Sequence, residues 1–271
     1  MRTISLLLFL GVHFIAGAVT AQSAEDHFKT GLSKYNSKDY YGAIDEFTKA
    51  IELNANYPGA YYNRGTVKNK LGKYTESIGD FTKAIELYPN YAEAYLNRGI
   101  AKKNLELYSG AMADYNKALE IDPRNGKIYE NRGIARYNQR DTAGAITDLK
   151  RAIELGPQNS MPYFNLGKIK KDQGDNKGAI ADYSKSIELN PNYAEAWNNR
   201  GITKYVTKDY KEAVEDYNKA IELNPKYRDA WYNRGIARIL LEDKVGGCVD
   251  LNKALELGYS AAGEVMKEYC K

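Results

Sequence analysis

Acidic and basic side chains recur along this chain at a fixed spacing of 34 residues, and they are the first candidates for chemistry. A carboxylate stands at Glu46, Asp80, Asp114, Asp148, Asp182, Asp216 and Asp250, and arginines stand 16 residues before five of them, at Arg64, Arg98, Arg132, Arg200 and Arg234. Carboxylates can act in acid–base catalysis, but repetition in every unit favours an architectural role. We interpret them as ion pairs within each unit, with solvated charges as the alternative. Leu166, found where the arginine beside Asp182 is expected, weakens this interpretation.

Other groups that could carry catalysis are scarce. After residue 21 the only histidine is His27, at a position where later units place a large ring, so a core or end residue is favoured over a general base. The chain shows no glycine-rich phosphate loop and no residues at metal-ligand spacing. The sequence therefore predicts no enzymatic activity, no cofactor and no metal.

The charge balance does not indicate a nucleic-acid partner. Thirty-nine lysines and arginines oppose 35 aspartates and glutamates, giving a net charge of +4. A nucleic-acid interface needs a basic patch that neutralises phosphates, and this composition does not point to one.

The elements that position these groups are tandem repeats. Glycine recurs at residues 31, 65, 99, 133, 167, 201 and 235. With that glycine as position 8, seven units run over residues 24–57, 58–91, 92–125, 126–159, 160–193, 194–227 and 228–261. A fixed period of this length is typical of a solenoid, in which each unit buries its apolar face against its neighbours.

The pattern inside each unit resembles the tetratricopeptide repeat. In the third unit a ring at Tyr95, the small residues Gly99 and Ala111, a second ring at Tyr115 and the small Ala118 follow in that order, and prolines close five units at residues 89, 123, 157, 191 and 225. The resemblance covers residues 24–261. It implies an all-α, right-handed superhelical solenoid of seven helix pairs, A then B, with A helices lining the concave face. Residues 262–271 are predicted to form a capping helix.

Residues 1–21 are predicted to be a secretory signal peptide. They begin with Arg2, continue with an apolar stretch from Ile4 to Ile15, and end in small residues at Ala21. A membrane anchor is the alternative, but the stretch contains His13 and is shorter than the roughly 20 apolar residues that span a bilayer. We expect cleavage near Ala21 and a periplasmic or secreted solenoid of residues 22–271.

Export makes a disulfide between Cys248 and Cys270 an expectation, because oxidising compartments preserve such bonds. Both cysteines fall near the end of the chain, on helix B of the last unit and on the capping helix. Two buried free thiols are the alternative. A catalytic pair is disfavoured, since the Cys-x-x-Cys spacing is absent.

The resemblance also implies a peptide-binding groove. Position 6 of the A helices, which tends to face the concave side in this family, carries Asn63, Asn97, Asn131, Asn165, Asn199 and Asn233, here called the asparagine ladder. Each carboxamide can donate to and accept from a peptide backbone. Helices about 8–10 Å apart would bring one asparagine to roughly every third residue of an extended chain. Hydrated asparagines without a role are the alternative.

Neighbouring positions would supply selectivity. Position 5 contributes Tyr62, Phe164 and Tyr232, whose rings suit apolar anchors in a ligand. The family's carboxylate clamp for chaperone tails is disfavoured, because arginine never occupies position 6 and the first unit offers Phe28 and Leu32 at the clamp positions.

Two functions remain open from the sequence. The first is a non-catalytic scaffold that binds an extended peptide or partner protein in the concave groove. The second is a structural subunit of a cell-envelope complex that packs through its convex face or its ends. Neither requires a membrane span or nucleic acid, and the oligomeric state stays undetermined.

Overall fold

The structure, a computed structural model, describes residues 22–270. The predicted signal peptide and Lys271 lie outside the described residues. Within them the chain forms fifteen helices and no strand. They are α1 (Ala24–Asn36), α2 (Tyr40–Leu53), α3 (Pro58–Lys70), α4 (Tyr74–Leu87), α5 (Ala92–Asn104), α6 (Tyr108–Ile121), α7 (Gly126–Asn138), α8 (Thr142–Leu155), α9 (Ser160–Asp172), α10 (Asn176–Leu189), α11 (Ala194–Val206), α12 (Tyr210–Leu223), α13 (Arg228–Leu240), α14 (Lys244–Glu256) and α15 (Ala261–Tyr269).

Each predicted repeat is one helix pair. Odd-numbered helices from α1 to α13 are the A helices, even-numbered ones are the B helices, and each contacts chiefly its neighbours in sequence. The five B helices that precede a repeat-closing proline each end two residues before it, since proline cannot continue the backbone hydrogen bonds. Among the described residues, no helix is long and apolar enough to cross a membrane.

The close approach of A and B helices depends on the glycine at position 8. In the third repeat a Cβ atom on Gly99 would lie 2.6 Å from Cε1 of Tyr115, whose side chain is fully buried. Ala111 and Ala118 beside this ring are fully buried too. The small residues therefore create the space that the large ring fills, as the sequence pattern predicts.

The turn between helices A and B contains a left-handed residue that the sequence pattern did not predict. Position 15 has a positive φ in every repeat, and only Gly72 and Gly174 are glycines there. The other five residues are Lys38, Glu106, Arg140, Lys208 and Glu242, with φ between 60° and 68°. Side chains rarely adopt this left-handed conformation, so these turns hold local strain.

The last helix, α15, covers the open end of the solenoid. Ala262 is fully buried against a cluster that includes Ile239, Leu251 and Ala254 of the seventh repeat. Helix α15 begins at Ala261 and ends at Tyr269, which agrees with the predicted capping helix.

Candidate functional site

The ion pairs predicted within repeats are present and hold the A helices in place. In the third repeat, Nε and Nη2 of Arg98 donate to the two carboxylate oxygens of Asp114 at 3.0 and 2.7 Å. The same two-pronged contact joins Arg64 to Asp80, Arg132 to Asp148, Arg200 to Asp216 and Arg234 to Asp250. These aspartates are buried. The alternative of solvated charges is therefore wrong for these five pairs.

The first and fifth repeats depart from this arrangement. In the first, Nδ1 of His27 donates to Oε2 of Glu46 at 2.6 Å, which makes His27 an end residue packed against the carboxylate. In the fifth, Leu166 replaces the arginine, and Asp182 keeps only Lys170, at 2.7 Å. Burial raises the pKa of Asp182, although Lys170 opposes that effect.

The asparagine ladder runs along the A helices of repeats 2 to 7. Four of its side chains donate from Nδ2 to the carbonyl four residues earlier in the same helix: Asn63 to Gly59, Asn131 to Lys127, Asn165 to Met161 and Asn199 to Glu195. The other two donate to position 5 of the preceding repeat. Asn97 bonds the hydroxyl of Tyr62 at 2.9 Å, and Asn233 bonds Oδ1 of Asn198 at 3.2 Å.

These bonds orient the carboxamides without exhausting them. Within residues 22–270, no Oδ1 atom of the ladder accepts a hydrogen bond, and each Nδ2 uses one of its two protons. Every ladder side chain therefore offers an acceptor and a second donor. Asn131 is 8% exposed, so it is the least accessible of the six.

The residue at position 5 packs against one of the last residues of its repeat, which limits how much of it a ligand in the groove could reach. Rings pack as Phe28 with Tyr57, Tyr62 with Tyr91, Phe164 with Tyr193 and Tyr232 with Tyr259, with centroids 4.5–4.9 Å apart; the last pair is stacked and the other three are tilted. Phe164 is 8% exposed and packs between Tyr183 and Tyr193, so little of its ring is accessible to a ligand in the predicted groove. Tyr62 and Tyr232 remain partly exposed.

Polar residues at position 5 have polar partners in the same way. Glu130 accepts from Nδ2 of Asn159 at 2.8 Å, and Asn198 donates to the hydroxyl of Tyr227 at 3.3 Å. Burial raises the pKa of Glu130, an effect that the bond from Asn159 opposes. The same enclosure lowers the pKa of Lys103, because burial penalises its charge. The middle of the array thus holds enclosed charges of both signs.

The two cysteines are paired in the structure. The Cα atoms of Cys248 on α14 and Cys270 after α15 lie 5.7 Å apart, a separation compatible with a disulfide. Cys248 is half-buried beside the exposed Val245 and Val249. Across residues 22–270, no group of three or more acidic, histidine or cysteine side chains could hold a metal ion.

These features define a class of protein: an array of helical repeats whose A helices carry a row of carboxamides at one repeated position. The profile of the tetratricopeptide repeat matches residues 58–91, 92–125 and 194–227, which are three of the predicted units, and a second profile of the TPR repeat matches residues 167–207. The chain is a tetratricopeptide repeat protein, and its fold is the right-handed superhelical solenoid of that family.

Solved structures support this fold. A tetratricopeptide repeat protein from Parabacteroides merdae is 18% identical, with a TM-score of 0.69, over 92% of this chain and 100% of that one. PilF of Pseudomonas aeruginosa is 22% identical, with a TM-score of 0.69, over 78% and 97%. YrrB, described as a TPR protein with an unusual peptide-binding site, is 27% identical, with a TM-score of 0.50, over 68% and 95%. No curated protein sequence is significantly similar to this chain. Proteins of this family are typically non-catalytic scaffolds that bind protein or peptide partners.

Proposed function

We propose that this protein is a non-catalytic scaffold that holds an extended segment of a partner protein in its concave groove. The observation that carries the proposal is the asparagine ladder, with six carboxamides in register and an unused acceptor on each. A carboxamide that bonds backbone amides recognises an extended chain without reading its side chains. The likeness to YrrB, described by its peptide-binding site, supports this assignment.

The ladder is tested with a triple variant and a matched control. Asn63→Ala, Asn97→Ala and Asn199→Ala remove carboxamides from repeats 2, 3 and 6, and they spare the buried Asn131. The control changes exposed residues on the B helices of the same repeats, Thr75→Ala, Ser109→Ala and Lys211→Ala. Both proteins should keep the helical circular dichroism of the wild type, and their free energies of unfolding in urea should stay within about 0.5 kcal/mol of it per changed residue.

The readout is crosslinking and affinity capture from the protein's own cells, analysed by mass spectrometry. We expect a partner that the wild type and the control retain and the asparagine variant loses. Equal retention by all three proteins would exclude the groove as the binding site.

A second function, packing through the convex face or the ends, is favoured by one observation on the last B helix, α14. Val245 and Val249 on α14 are 80% and 62% exposed, whereas most other repeats carry polar or small residues at the same positions. Exposed apolar residues of this kind are typical of protein contacts. If this face packs in a larger complex, the double variant Val245→Ser, Val249→Ser should lose its partner in the capture experiment. The asparagine variant should retain it.

We also propose that the protein acts outside the cytosol. The residue pattern of 1–21 supports a cleaved signal peptide, and the paired cysteines suit an oxidising compartment. N-terminal sequencing of the protein from its native cells should begin at Gln22. A chain that still begins at Met1 or Arg2 would contradict this proposal.

A further inference from the structure

A cavity of about 340 Å³ lies between the A helices of repeats 6 and 7, and is here called the α11–α13 pocket. Its walls are apolar or aromatic: Ile202, Tyr205, Val206, Tyr217, Tyr232 and Ile236. The ladder residue Asn233 lies at its edge. The volume exceeds that of a single tryptophan side chain, so the pocket has room for one large apolar group and a few waters.

The pocket also contains phenol groups that bond to nothing in the fold. Within residues 22–270 the hydroxyls of Tyr205 and Tyr232 make no hydrogen bond, and both side chains are partly exposed at the pocket. These hydroxyls are therefore free to bond a polar atom of a ligand that enters the pocket. A side chain with an apolar body and a polar edge, such as indole, satisfies both requirements.

The equivalent space between repeats 4 and 5 is different, so the size of this cavity depends on side chains that vary between repeats. There the cavity between α7 and α9 is about 70 Å³. Asn138 and Lys168 occupy the positions that Val206 and Ile236 hold in the α11–α13 pocket. Lysine at the position of Ile236, as found at residue 168, is therefore the substitution expected to close the pocket.

A pair of carboxylates lies one helical turn before the ladder, on the side opposite to the pocket isoleucines. Glu195 and Asp229 occupy position 2 of repeats 6 and 7, four residues before Asn199 and Asn233, and so face the same side of their helices. Neither carboxylate is in an ion pair with any residue of 22–270, and Glu195 is exposed. On each of these two helices an acidic residue, an asparagine and an isoleucine therefore succeed one another along the groove face.

The geometry of an extended chain joins the two features. When backbone amides point down to the asparagines, successive side chains point to opposite sides of the strand. Here one side faces the carboxylates at position 2, about 6 Å along the helix from the ladder, and the other faces the isoleucines at position 9, about 4.5 Å away. Neighbouring residues of the ligand would therefore meet opposite chemistry.

We propose that repeats 6 and 7 bind an extended protein segment in which a large apolar side chain, best supplied by tryptophan, is directly adjacent to a lysine or arginine. The apolar side chain fills the α11–α13 pocket, and the basic one pairs with Glu195 or Asp229. This inference rests on the proposed function of the groove and adds the ligand chemistry at one end of it.

The pocket is tested first with N-acetyltryptophanamide and protein that carries ¹³C-labelled isoleucine methyl groups. We expect saturable shifts of the Ile202 and Ile236 methyl resonances and unchanged resonances for Ile100, which occupies position 9 of the third repeat. In Ile236→Lys, which copies the residue at 168, the shift of Ile202 should vanish while the rest of the spectrum remains. Absence of shifts in the wild type, or equal shifts at Ile100, overturns the assignment whatever the capture experiment gives.

The pairing with a basic residue is tested with ten-residue glycine–serine peptides whose central pair is Trp-Lys, Trp-Glu or Ser-Lys. Fluorescence anisotropy should give at least about tenfold tighter binding for Trp-Lys than for the other two, which corresponds to about 1.4 kcal/mol. Glu195→Gln with Asp229→Asn should remove the advantage over Trp-Glu. Equal binding of all three peptides that still depends on Asn199 would overturn this inference while leaving groove binding intact.

Discussion

Nη1 of Arg98 donates to Oγ1 of Thr82 at 3.0 Å, and Thr82 belongs to the B helix of the preceding repeat. The other nitrogens of the same guanidinium hold Asp114 in its own repeat. Each of the five arginines makes this double contact, and the acceptors in the preceding repeats are Thr48, Thr82, Asn116, Ser184 and Asn218. One side chain therefore joins three helices, and the ion pair fixes the stacking of repeats as well as the pairing within them.

The fifth repeat provides a natural comparison for these ion pairs. Asp148→Asn should lower the free energy of unfolding by about 2–4 kcal/mol, because Arg132 and Arg136 lose their buried carboxylate. Asp182→Asn should change it by less than about 0.5 kcal/mol, since burial already disfavours the charge of Asp182 and no arginine depends on it. Urea denaturation of both variants measures the difference. Equal losses would show that the arginine contact adds nothing.

The glycines at position 8 should not tolerate a methyl group. Gly99→Ala should cost about 1–3 kcal/mol, because its Cβ would lie 2.6 Å from the ring of Tyr115. Gly79→Ala on the exposed side of α4 is the control, with no atom within 4 Å of the added Cβ. That change should stabilise the protein by about 0.5–1 kcal/mol, since alanine loses less backbone entropy than glycine in a helix. Thermal unfolding of both variants measures these changes in stability. Changes of the same sign in the two variants would contradict the prediction.

Acid should weaken the first repeat through Glu46. Hydrogen bonds from His27 and Lys49 lower the pKa of Glu46 from 4.5 to about 2. Because the folded pKa lies below the unfolded one, this contribution is complete above about pH 4.5 and is lost as the pH falls toward 2.

The Glu46→Gln variant tests this pH dependence. It should be less stable than the wild type at pH 7, and the difference should shrink steadily as the pH falls below about 4.5. The exposed Glu52→Gln on the same helix should show a much smaller change. A stability difference for Glu46→Gln that is constant from pH 7 to pH 3 would contradict the argument.

The cysteine pair should protect the end of the solenoid. Its residues are 22 apart, and closing a loop of that size is worth about 3 kcal/mol in the chain-entropy picture. Cys270→Ser should speed amide hydrogen exchange in α15 and α14 and leave α1 to α10 unchanged, because repeats contact only their neighbours. The unreduced, denatured wild type should take up no thiol reagent. Labelling of both cysteines in that sample would exclude the disulfide.

The sequence predicts the repeats well because the same local demand recurs seven times. Glycine at position 8 contacts the large side chain at position 24, so the residue types at these two positions indicate the contact directly. The contact between Arg98 and Thr82 was missed, since position 25 varies among threonine, asparagine, serine and lysine and gives no simple pattern. The left-handed turns at Lys38 and Lys208 were missed because lysine, unlike glycine, gives no sequence signal for a positive φ.

The groove was harder to predict than the fold. Whether position 5 faces a ligand depends on the residue that covers it at the end of the repeat, as Tyr193 covers Phe164. A signal was present: rings at position 5 face tyrosines, whereas Glu130 and Asn198 face partners that share hydrogen bonds. The α11–α13 pocket depends on side chains from two repeats and on their relative placement, which no single unit encodes.

The arginine contacts between repeats all point in one direction, from each repeat to the one before it. A ribosome makes the chain from its N-terminus, so Thr82 already exists when Arg98 emerges. Each of the five arginines can therefore bond to a residue of the preceding repeat that is already made, while its aspartate follows 16 residues later in the same repeat. None of these five bridges needs a residue from a later repeat, so the repeats can be added in the order in which they are synthesised.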